Sequence, residues 1–405
     1  MTSGQERTRA SLREAVAGAL GVPAKEVRTV ISPYRVCPIG AHLDHQHGPV
    51  LGMAIDVGTC LAFVPAPDAR CRIASRNFAG VAEFAVDRPG PAGAGWQCYP
   101  RAAAWALGPR LPPQPRGIVA ELHGALPGGG LGSSASLLLA CLSALAAANE
   151  LALSPAELVA LSCRAENEYV GLASGVLDPA AIVAARRGRL ALIDTARTEA
   201  GWADKAGWEC ILPGAGAPDF RVVVAFSGRA RNLTGTGFNQ RVAECRAAAR
   251  ALSSLGGLAP AERLGDLPEA LLAGRLDELP PLERRRARHF HEERARVREG
   301  AVRWRSGDLA GFGRLMLDSC RSSIENFETG SPELVELHDL LAGAGAFGAR
   351  FSGAGFAGCA IALVAADRAE ACRERVAEAW ARAHPELAAE STVFVAESDD
   401  SLRLL

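Results

Sequence analysis

The chain has 405 residues, 49% of them hydrophobic and 22% charged, which is enough apolar sequence to bury one or two large cores. Its 44 basic and 45 acidic residues nearly cancel, so no basic surface for nucleic acid is expected. No apolar run approaches the length of a membrane span, and no membrane partner is expected.

The first half of the chain alternates between predicted strands and predicted helices. Strands are predicted at Val27–Ser32, Val50–Val64 (with a break near Gly58), Cys71–Asn77, Val81–Val86, Gly117–His123 and Leu190–Asp194. Helices are predicted at Trp96–Leu107, Ser136–Asn149, Ser154–Tyr169 and Asp178–Ala185.

The second half is richer in helices. Strands are predicted at Phe220–Phe226, Ala349–Ser352, Cys359–Val364 and Thr392–Val395. Helices are predicted at Asn239–Leu255, Pro260–Leu272, Leu282–Ser306, Asp308–Asn326, Glu333–Ala344 and Arg368–Ala383. Because strands and helices are mixed in both halves, the sequence predicts an α+β fold with two domains, residues 1–213 and 214–405.

A glycine-rich loop is the strongest local signal. Residues 126–136 read Leu-Pro-Gly-Gly-Gly-Leu-Gly-Ser-Ser-Ala-Ser and lead into a predicted helix. Backbone N–H groups at a helix N-terminus attract anions, so the loop predicts a phosphate site, with a tight turn and a helix cap as the alternative. The pattern G-x-x-x-x-G-K-[ST] is absent, since lysine occurs only at Lys25 and Lys205. The G-x-G-x-x-G pattern does not fit either, which argues against a dinucleotide-binding oxidoreductase.

A polar cluster follows the first predicted strand. It contains Arg35, Asp44 and histidines at positions 42, 45 and 47. Three histidines within six residues of one loop rarely converge on a zinc ion, and no cysteine partner is evident. A surface loop in which Asp44 caps a turn is the simpler interpretation of this segment alone.

Two acidic residues and a second glycine cluster complete the pattern. Glu166 lies late in a predicted helix and Asp178 follows a glycine-containing turn, so one carboxylate could hold a metal while the other accepts a substrate proton. A surface acid and an N-cap are the simpler interpretation of the two taken alone. Residues 350–359 place three glycines and two alanines between two strands, a pattern that a hairpin with a glycine bulge also explains.

Taken in this order, the motifs resemble the GHMP kinases, the superfamily of galactokinase, homoserine kinase, mevalonate kinase and phosphomevalonate kinase. The run Arg35-Val36-x-x-Ile39-Gly40-x-His42-x-Asp44 is similar to the galactokinase signature R-V-N-L-I-G-E-H-T-D-Y. The glycine loop resembles P-x-G-G-G-L-S-S-S-A, and residues 353–358 resemble G-G-G-F-G-G. The resemblance implies an N-terminal domain of the ribosomal protein S5 domain 2 type and a ferredoxin-like C-terminal domain.

The resemblance also implies roles for individual residues. Asp178 would accept the proton of a sugar's anomeric hydroxyl, and Arg35 would keep Asp178 ionised and offset charge on the transferred phosphoryl group. Mg²⁺ would be held by Ser134 and Glu166. The ATP phosphates would be wrapped by Gly128, Gly129, Gly130, Leu131, Gly132, Ser133, Ser134 and Ala135, with Trp96 near adenine. The sugar would be contacted by Ala41, His42, Asp44, Gly175, Phe238 and Gly355.

Several positions depart from the galactokinase pattern. The signature's Glu, which would bind the sugar 6-hydroxyl, is Ala41, and a sugar-contacting Tyr aligns with Phe238. A glutamate would repel a C6 carboxylate, whereas alanine removes the charge and leaves room. Residues 32–46 are similar to plant galacturonokinases, so the hypothesis is ATP-dependent phosphorylation of D-galacturonate at C1. The alternatives are a kinase for galactose, glucuronate, arabinose or an amino sugar, and a non-catalytic regulator that senses sugar and ATP.

The cysteines and the N-terminus suggest a compartment. Eleven cysteines are scattered without a C-x-x-C pair, as expected for reduced thiols, and Met1–Arg13 lacks an apolar signal core. These features predict a cytoplasmic protein. The oligomeric state, monomer or dimer, is left open by the sequence.

Overall fold

The structure is a computed structural model that describes residues 3–199, 207–229 and 237–405. Its strands are β1 (Arg28–Ile39), β2 (Val50–Pro65), β3 (Arg70–Ser75), β4 (Val81–Ala85), β5 (Ile118–Gly124), β6 (Leu190–Ile193), β7 (Trp208–Ile211), β8 (Phe220–Phe226), β9 (Gly348–Phe351), β10 (Cys359–Ala365), β11 (Thr392–Ala396) and β12 (Arg403–Leu404). Its α-helices are α1 (Ser3–Leu20), α2 (Cys98–Leu107), α3 (Ser133–Ala148), α4 (Pro155–Arg164), α5 (Leu177–Ala184), α6 (Thr195–Glu199), α7 (Phe238–Leu255), α8 (Glu269–Arg275), α9 (Pro281–Ser306), α10 (Leu309–Glu325), α11 (Pro332–Gly343) and α12 (Ala369–Ala383).

The first sheet is built on the long antiparallel pair β1 and β2. Its strands follow the order β12-β1-β2-β5-β3-β4, and β6 pairs with the start of β2 and with β7. The register of β1 against β2 shifts between Pro33 and Tyr34, where Pro33 faces Gly58. A Cβ on Gly58 would lie 2.2 Å from the Ser32 carbonyl oxygen. The break predicted near Gly58 is therefore a bulge in a continuous strand.

The second sheet has four antiparallel strands in the order β11-β8-β10-β9. Numbered along the chain, this is the order 4-1-3-2 of a ferredoxin-like β-α-β-β-α-β unit, here with α7 to α11 between the first two strands. The two-domain α+β fold class is thus confirmed. The last strand, β12, returns to pair with β1 in the first sheet. The boundary between residues 213 and 214 stays a prediction.

Three local predictions differ from the structure. The helix predicted at Pro260–Leu272 is a single turn at Leu264–Asp266 followed by α8, because Pro268 stands in the N-cap position of α8. The helix predicted at Ser154–Tyr169 ends its α-helical part at Arg164 and continues as a π-helical turn, Ala165–Val170. Helix α1 has a polar sequence and was not predicted; it buries Leu12 and Val16.

The two glycine clusters pack directly against each other. Gly353 has φ +71°, and a Cβ there would lie 2.6 Å from the Gly130 carbonyl oxygen. A Cβ on Gly358, at φ +104°, would lie 2.6 Å from the Gly129 carbonyl oxygen. The turn between β9 and β10 therefore supports the loop before α3 through contacts that only glycine permits.

We expect Gly353→Ala to destabilise the protein more than a matched glycine substitution. Gly345 also has a positive φ, but no atom lies within 4 Å of its Cβ position, so Gly345→Ala carries only the cost of the backbone conformation. The clash with Gly130 should add about 1–3 kcal/mol to the loss in the free energy of unfolding. Urea denaturation of the two variants measures this difference, and equal losses would contradict the packing described here.

Candidate active site

A cavity that is open to solvent lies where β1, the N-termini of α3 and α5, and the turn between β9 and β10 meet. Its lining includes nine of the residues that the sequence assigned to catalysis, metal or substrate: Arg35, Ala41, His42, Asp44, Ser134, Glu166, Gly175, Asp178 and Phe238.

The cavity is organised around an ion pair between β1 and α5. The Arg35 guanidinium, 3% exposed, donates from Nε to Asp178 Oδ1 at 2.7 Å. Burial by itself would lower the pKa of Arg35, but the adjacent Asp178 carboxylate offsets this and the pKa is raised. Within the described residues, the second oxygen of Asp178 accepts no hydrogen bond, and the side chain is 27% exposed. Asp178 is therefore fixed at one oxygen and open at the other.

The same guanidinium reaches both glycine clusters. Arg35 Nη1 donates to the Gly130 carbonyl oxygen at 3.0 Å and to Ser352 Oγ at 3.4 Å. The Arg35 backbone N–H donates to the Leu131 carbonyl oxygen at 2.9 Å. One buried side chain thus links a strand, the loop before α3, the β9–β10 turn and the acid on α5.

The loop before α3 has the form of an anion site. Gly132, at φ +71°, is the N-cap residue of α3, and the helix begins at Ser133, three residues earlier than predicted. The Gly128 N–H donates to Ser133 Oγ at 3.0 Å, which closes the loop. A Cβ on Gly132 would lie 3.0 Å from Arg35 Cγ and 3.3 Å from Asp178 Oδ2. The helix N-terminus, with its free N–H groups, therefore lies next to the ion pair.

Glu166 is a buried carboxylate with hydroxyl partners. The π-helical turn after α4 carries it into the cavity, where Ser174 Oγ donates to Oε2 at 2.6 Å and Ser134 Oγ to Oε1 at 3.3 Å. Burial raises its pKa to about 7; the serine hydrogen bonds and Arg35 lower it, and Asp178 raises it. A buried acid beside a serine hydroxyl fits the ligand set of a hard cation such as Mg²⁺.

Asp44 ties the loop after β1 to the helix that carries Asp178. Its Oδ2 accepts from the Leu177 backbone N–H at 3.3 Å, in the first turn of α5. A Cβ on Gly175 would lie 2.2 Å from this oxygen, so only glycine fits beside it. Burial, followed by the charge of Asp178, raises the pKa of Asp44 to about 6. Asp44 therefore faces the cavity and also helps to position α5.

The segment around Ala41 rests on a buried polar network. His289 Nε2 lies 3.0 Å from the Ala41 carbonyl oxygen, and the Gly40 N–H donates to Glu293 Oε1 at 2.6 Å. The His42 ring stacks on Phe327 with centroids 3.9 Å apart. Ala41 itself is 3% exposed and is one of the residues that line the cavity.

Other predicted site residues lie outside the cavity lining. Trp96 Nε1 donates to the Ala79 carbonyl oxygen at 3.2 Å, and Gly355 packs against Thr329. Gly128, Gly129, Gly130, Leu131, Gly132, Ser133 and Ala135 form the loop and helix start beside it. The roles of all these residues stay predictions.

The structure adds residues that the sequence reasoning missed. Cys37 and Ser174 line the cavity, and Ser352 contacts Arg35. All three lie inside or beside the motifs, and this proximity was the one sequence signal that pointed to them. Nothing in the sequence distinguishes these cysteine and serine side chains from others of the same type.

No zinc site is formed by the histidine-rich loop. Within the described ranges, no three His, Cys, Asp or Glu side chains cluster as metal ligands. His47 instead bonds to Asp266 through Nδ1 at 2.6 Å. Among the residues that the structure describes, none of the helices is long and apolar enough to cross a membrane.

Comparison with known proteins identifies relatives over the whole chain. Residues 99–186 match the family model for the GHMP kinases N terminal domain, and residues 297–382 match the model for GHMP kinases C terminal. Galacturonokinase from Arabidopsis thaliana is 37% identical, with 98% of this chain and 97% of the relative covered. Galactokinase from Roseiflexus sp. (strain RS-1) is 34% identical, with 92% of each covered.

Solved structures agree with these matches. Lactococcus lactis galactokinase, crystallised with galactose, superimposes with a TM-score of 0.85 at 29% identity, covering 97% of this chain and 99% of that one. A mevalonate kinase superimposes with a TM-score of 0.60 at 18% identity over 92% of this chain and 99% of its own, a likeness in fold alone.

Substituting Glu166 should change how stability depends on pH. Without a cation, the folded protein keeps the Glu166 proton up to about pH 7, whereas an unfolded chain releases it near the ordinary pKa of 4.5. In this window the folded state binds more protons than the unfolded state, so the stability of the unsubstituted protein falls as pH rises. Relative to Glu166→Gln, we expect a loss of about 3 kcal/mol between pH 4.5 and 7.

Calorimetric unfolding of both proteins from pH 4.5 to 8, in EDTA and without nucleotide, measures this difference. A constant difference in stability across the range would show that Glu166 does not hold a proton in the folded protein.

Proposed function

We propose that this chain, which belongs to the GHMP kinase family, transfers the γ-phosphoryl group of ATP to the anomeric hydroxyl of D-galacturonate. Its full-length similarity to galacturonokinase and galactokinase makes it an ATP-dependent sugar kinase. The choice of sugar rests on one observation: the residue that lines the cavity at position 41 is an alanine, where the galactokinase signature has a glutamate.

Asp178 is the group placed to receive the proton of the sugar's C1 hydroxyl. Phosphoryl transfer requires alignment of the nucleophile and stabilisation of charge more than covalent help from the protein. The Oδ1 atom is held by Arg35, while the other oxygen faces the cavity without a partner among the described residues. An acceptor fixed in this way can take the proton as the oxygen attacks the γ-phosphorus.

Arg35 supplies the fixed cation of the site. It lies between Asp178 and the glycine loop, so it can offset negative charge on the phosphoryl group while it moves. The lysine of the P-loop pattern G-x-x-x-x-G-K-[ST] is absent, and the buried Arg35, bonded to Asp178, Gly130 and Ser352, can supply the fixed positive charge instead.

Ser134 and Glu166 are the residues that would hold Mg²⁺. A bound Mg²⁺ would neutralise charge on the ATP phosphates. Glu166 must give up its proton to serve as a ligand, and its pKa of about 7 makes this step sensitive to pH. The α3 N-terminus and the glycine loop would receive the phosphates through backbone N–H groups.

The charge balance of the cavity favours a substrate acid only if position 41 is uncharged. Asp44, Glu166 and Asp178 already line the cavity. Two carboxylates about 5 Å apart at an effective dielectric of about 20 repel each other by about 3 kcal/mol. A glutamate at position 41 would add this penalty for a C6 carboxylate and would form a hydrogen bond to a C6 hydroxyl instead.

Galactose is the second candidate substrate. The superposition with the galactose-bound Lactococcus lactis enzyme and the identity to the Roseiflexus enzyme support it. A purely regulatory role is less well supported, because Arg35, Asp178, Ser134 and Glu166 come together in one cavity with the bonds that catalysis requires.

Steady-state kinetics with the two sugars test the proposal. The unsubstituted enzyme should have a kcat/KM at least tenfold higher for galacturonate than for galactose, and a tenfold preference for galactose would contradict the proposal. Ala41→Glu should shift the ratio toward galactose by about 100-fold, which corresponds to the repulsion of about 3 kcal/mol. Ala41→Gln is the matched control, because it adds the same volume without charge. An equal shift in both variants would mean that size, and not charge, selects the sugar.

A further inference from the structure

The segment after β1 gives three residues to the cavity and is held in a conformation that side chains seldom adopt. Ala41, His42 and Asp44 line the cavity. Gly40 has φ +105° and His42 has φ +64°. A histidine in the left-handed region costs free energy that surrounding contacts must offset. The recognition segment, residues 40–44, therefore depends on groups outside itself for its shape.

Two side chains of α9 hold the peptide groups on either side of Ala41. The Gly40 N–H donates to Glu293 Oε1 at 2.6 Å, and His289 Nε2 lies 3.0 Å from the Ala41 carbonyl oxygen. His289 and Glu293 are four residues apart, so they lie on the same face of the helix. Both side chains are buried. Helix α9 therefore acts on the recognition segment through the backbone of that segment.

Glu293 is itself fixed by charged and polar neighbours. Arg296 Nε donates to its Oε2 at 2.6 Å, and Ser319 Oγ donates to its Oε1 at 2.6 Å. Arg350 Nη1 lies 3.8 Å from Oε1. Burial alone would raise the pKa of Glu293, but the neighbouring cations, Arg296 first, outweigh burial and lower it to about 2. Replacing Glu293 would leave a buried cation unpaired, so His289 is the side chain that a substitution can test cleanly.

Hydrogen-bond chemistry fixes which nitrogen of His289 carries the proton. A carbonyl oxygen can only accept, so Nε2 donates to Ala41. Nδ1 then accepts from Ser322 Oγ at 3.0 Å, and Ser322 Oγ accepts in turn from Asn326 Nδ2 at 3.2 Å. Burial lowers the pKa of His289, so the ring is neutral, as this pattern requires. The hydroxyl of Ser322 therefore orients the donor that faces the recognition segment.

The bond to Ala41 bears directly on the side chain of His42. The Ala41 carbonyl belongs to the rigid peptide group whose rotation about the next N–Cα bond defines the φ angle of His42. A donor that fixes this carbonyl therefore also fixes the direction of the His42 side chain. The His42 ring stacks on Phe327 with centroids 3.9 Å apart, and His289 packs against the same ring at 5.0 Å. Without the bond, the peptide group can turn to a more common conformation and carry the His42 ring off Phe327.

We propose that His289, oriented by Ser322, is a positioning residue for sugar binding, an inference that rests on the proposed function because it takes the recognition segment as the part of the site that contacts the sugar. His289 acts through the Ala41 peptide group, which sets the direction in which His42 faces the substrate. The buried ion pair and the glycine loop are held by other bonds, so ATP binding and the chemical step do not depend directly on His289.

Steady-state kinetics and calorimetric titration of the sugar test this role in two variants of His289. His289→Leu removes the donor, whereas His289→Gln loses the same ring but keeps an amide N–H close to the position of Nε2. His289→Leu should raise the KM and the Kd for the sugar that the unsubstituted enzyme prefers by about tenfold. The kcat per folded enzyme should stay within about threefold, and the KM for ATP within about twofold. His289→Gln should recover most of the loss.

Two serines of α10 provide a matched control. Ser322 is bonded to His289, while the neighbouring Ser323, which is also buried, donates to the Ser319 carbonyl oxygen within its own helix. Ser322→Ala should raise the KM for the sugar about three- to tenfold, because the His289 ring then loses the partner that orients its donor. Ser323→Ala should leave this KM within about twofold. If His289→Leu does not fold, the two serine variants decide the question.

The outcomes separate a positioning role from a structural one. Lower thermal stability of His289→Leu with an unchanged KM for the sugar overturns the inference, and so does an equal rise in the KM values for sugar and ATP. Equal effects of His289→Leu and His289→Gln also overturn it, since the ring and not the N–H would then be needed. A preference of the unsubstituted enzyme for galactose overturns only the proposed function, because the same comparison is then made with galactose.

Discussion

The buried guanidinium of Arg35 is the contact on which the rest of the site depends. It bonds to Asp178 on α5, to the Gly130 carbonyl oxygen in the loop before α3 and to Ser352 before the β9–β10 turn. A charge removed from water is tolerated only when its partners are in place, so the strand, the loop, the helix and the turn must take up their positions together. The close packing of the two glycine clusters follows from this arrangement, because only backbone without side chains allows the loop and the turn to meet beside the guanidinium. The contacts that set the geometry of the site are therefore the same contacts that pack the two domains together.

Burial also limits how much negative charge the cavity can hold. Burial raises the pKa of Asp44 to about 6 and that of Glu166 to about 7, which shows how poorly the cavity accommodates further negative charge without a cation. The proposed reaction on a sugar acid would bring three negative groups together in this cavity: the carboxylate of Asp178, the ATP phosphates and the acid of the substrate. Under the proposed function, the chain meets this demand by keeping position 41 uncharged. On this account, specificity follows from the removal of one carboxylate as much as from any added contact.

The sequence predicted the parts of the site that short motifs identify. Arg35, Asp178 and the glycine loop were identified from motifs, and the structure brings them together; the ferredoxin-like strand order followed from the family resemblance. The polar partners of Gly40 and Ala41 could not be predicted, because Glu293 and His289 lie 253 and 248 positions further along the chain. Ser174 was missed because its only distinguishing feature is the hydrogen bond that it donates to the Glu166 carboxylate in the folded chain. The helix predicted at Pro260–Leu272 was wrong because Pro268 interrupts it. In the folded chain this proline is the N-cap residue of a new helix. Local patterns therefore identify the residues that are proposed to react, while the residues that orient them depend on tertiary contacts.

The central claim is that Arg35 and Asp178 act as one unit, and a double-mutant cycle on kcat/KM tests it most directly. Arg35→Gln and Asp178→Asn should each reduce kcat/KM by about 10²- to 10⁴-fold, since each removes a group that the transition state needs. When two residues act as a unit, the effects of their substitutions are strongly non-additive. The kcat/KM of the double variant should therefore be no more than about tenfold below that of the less active single variant. Circular dichroism and nucleotide binding would confirm that the variants are folded. If the two losses multiply, Arg35 and Asp178 contribute independently, and the account of a site organised by one buried ion pair is contradicted.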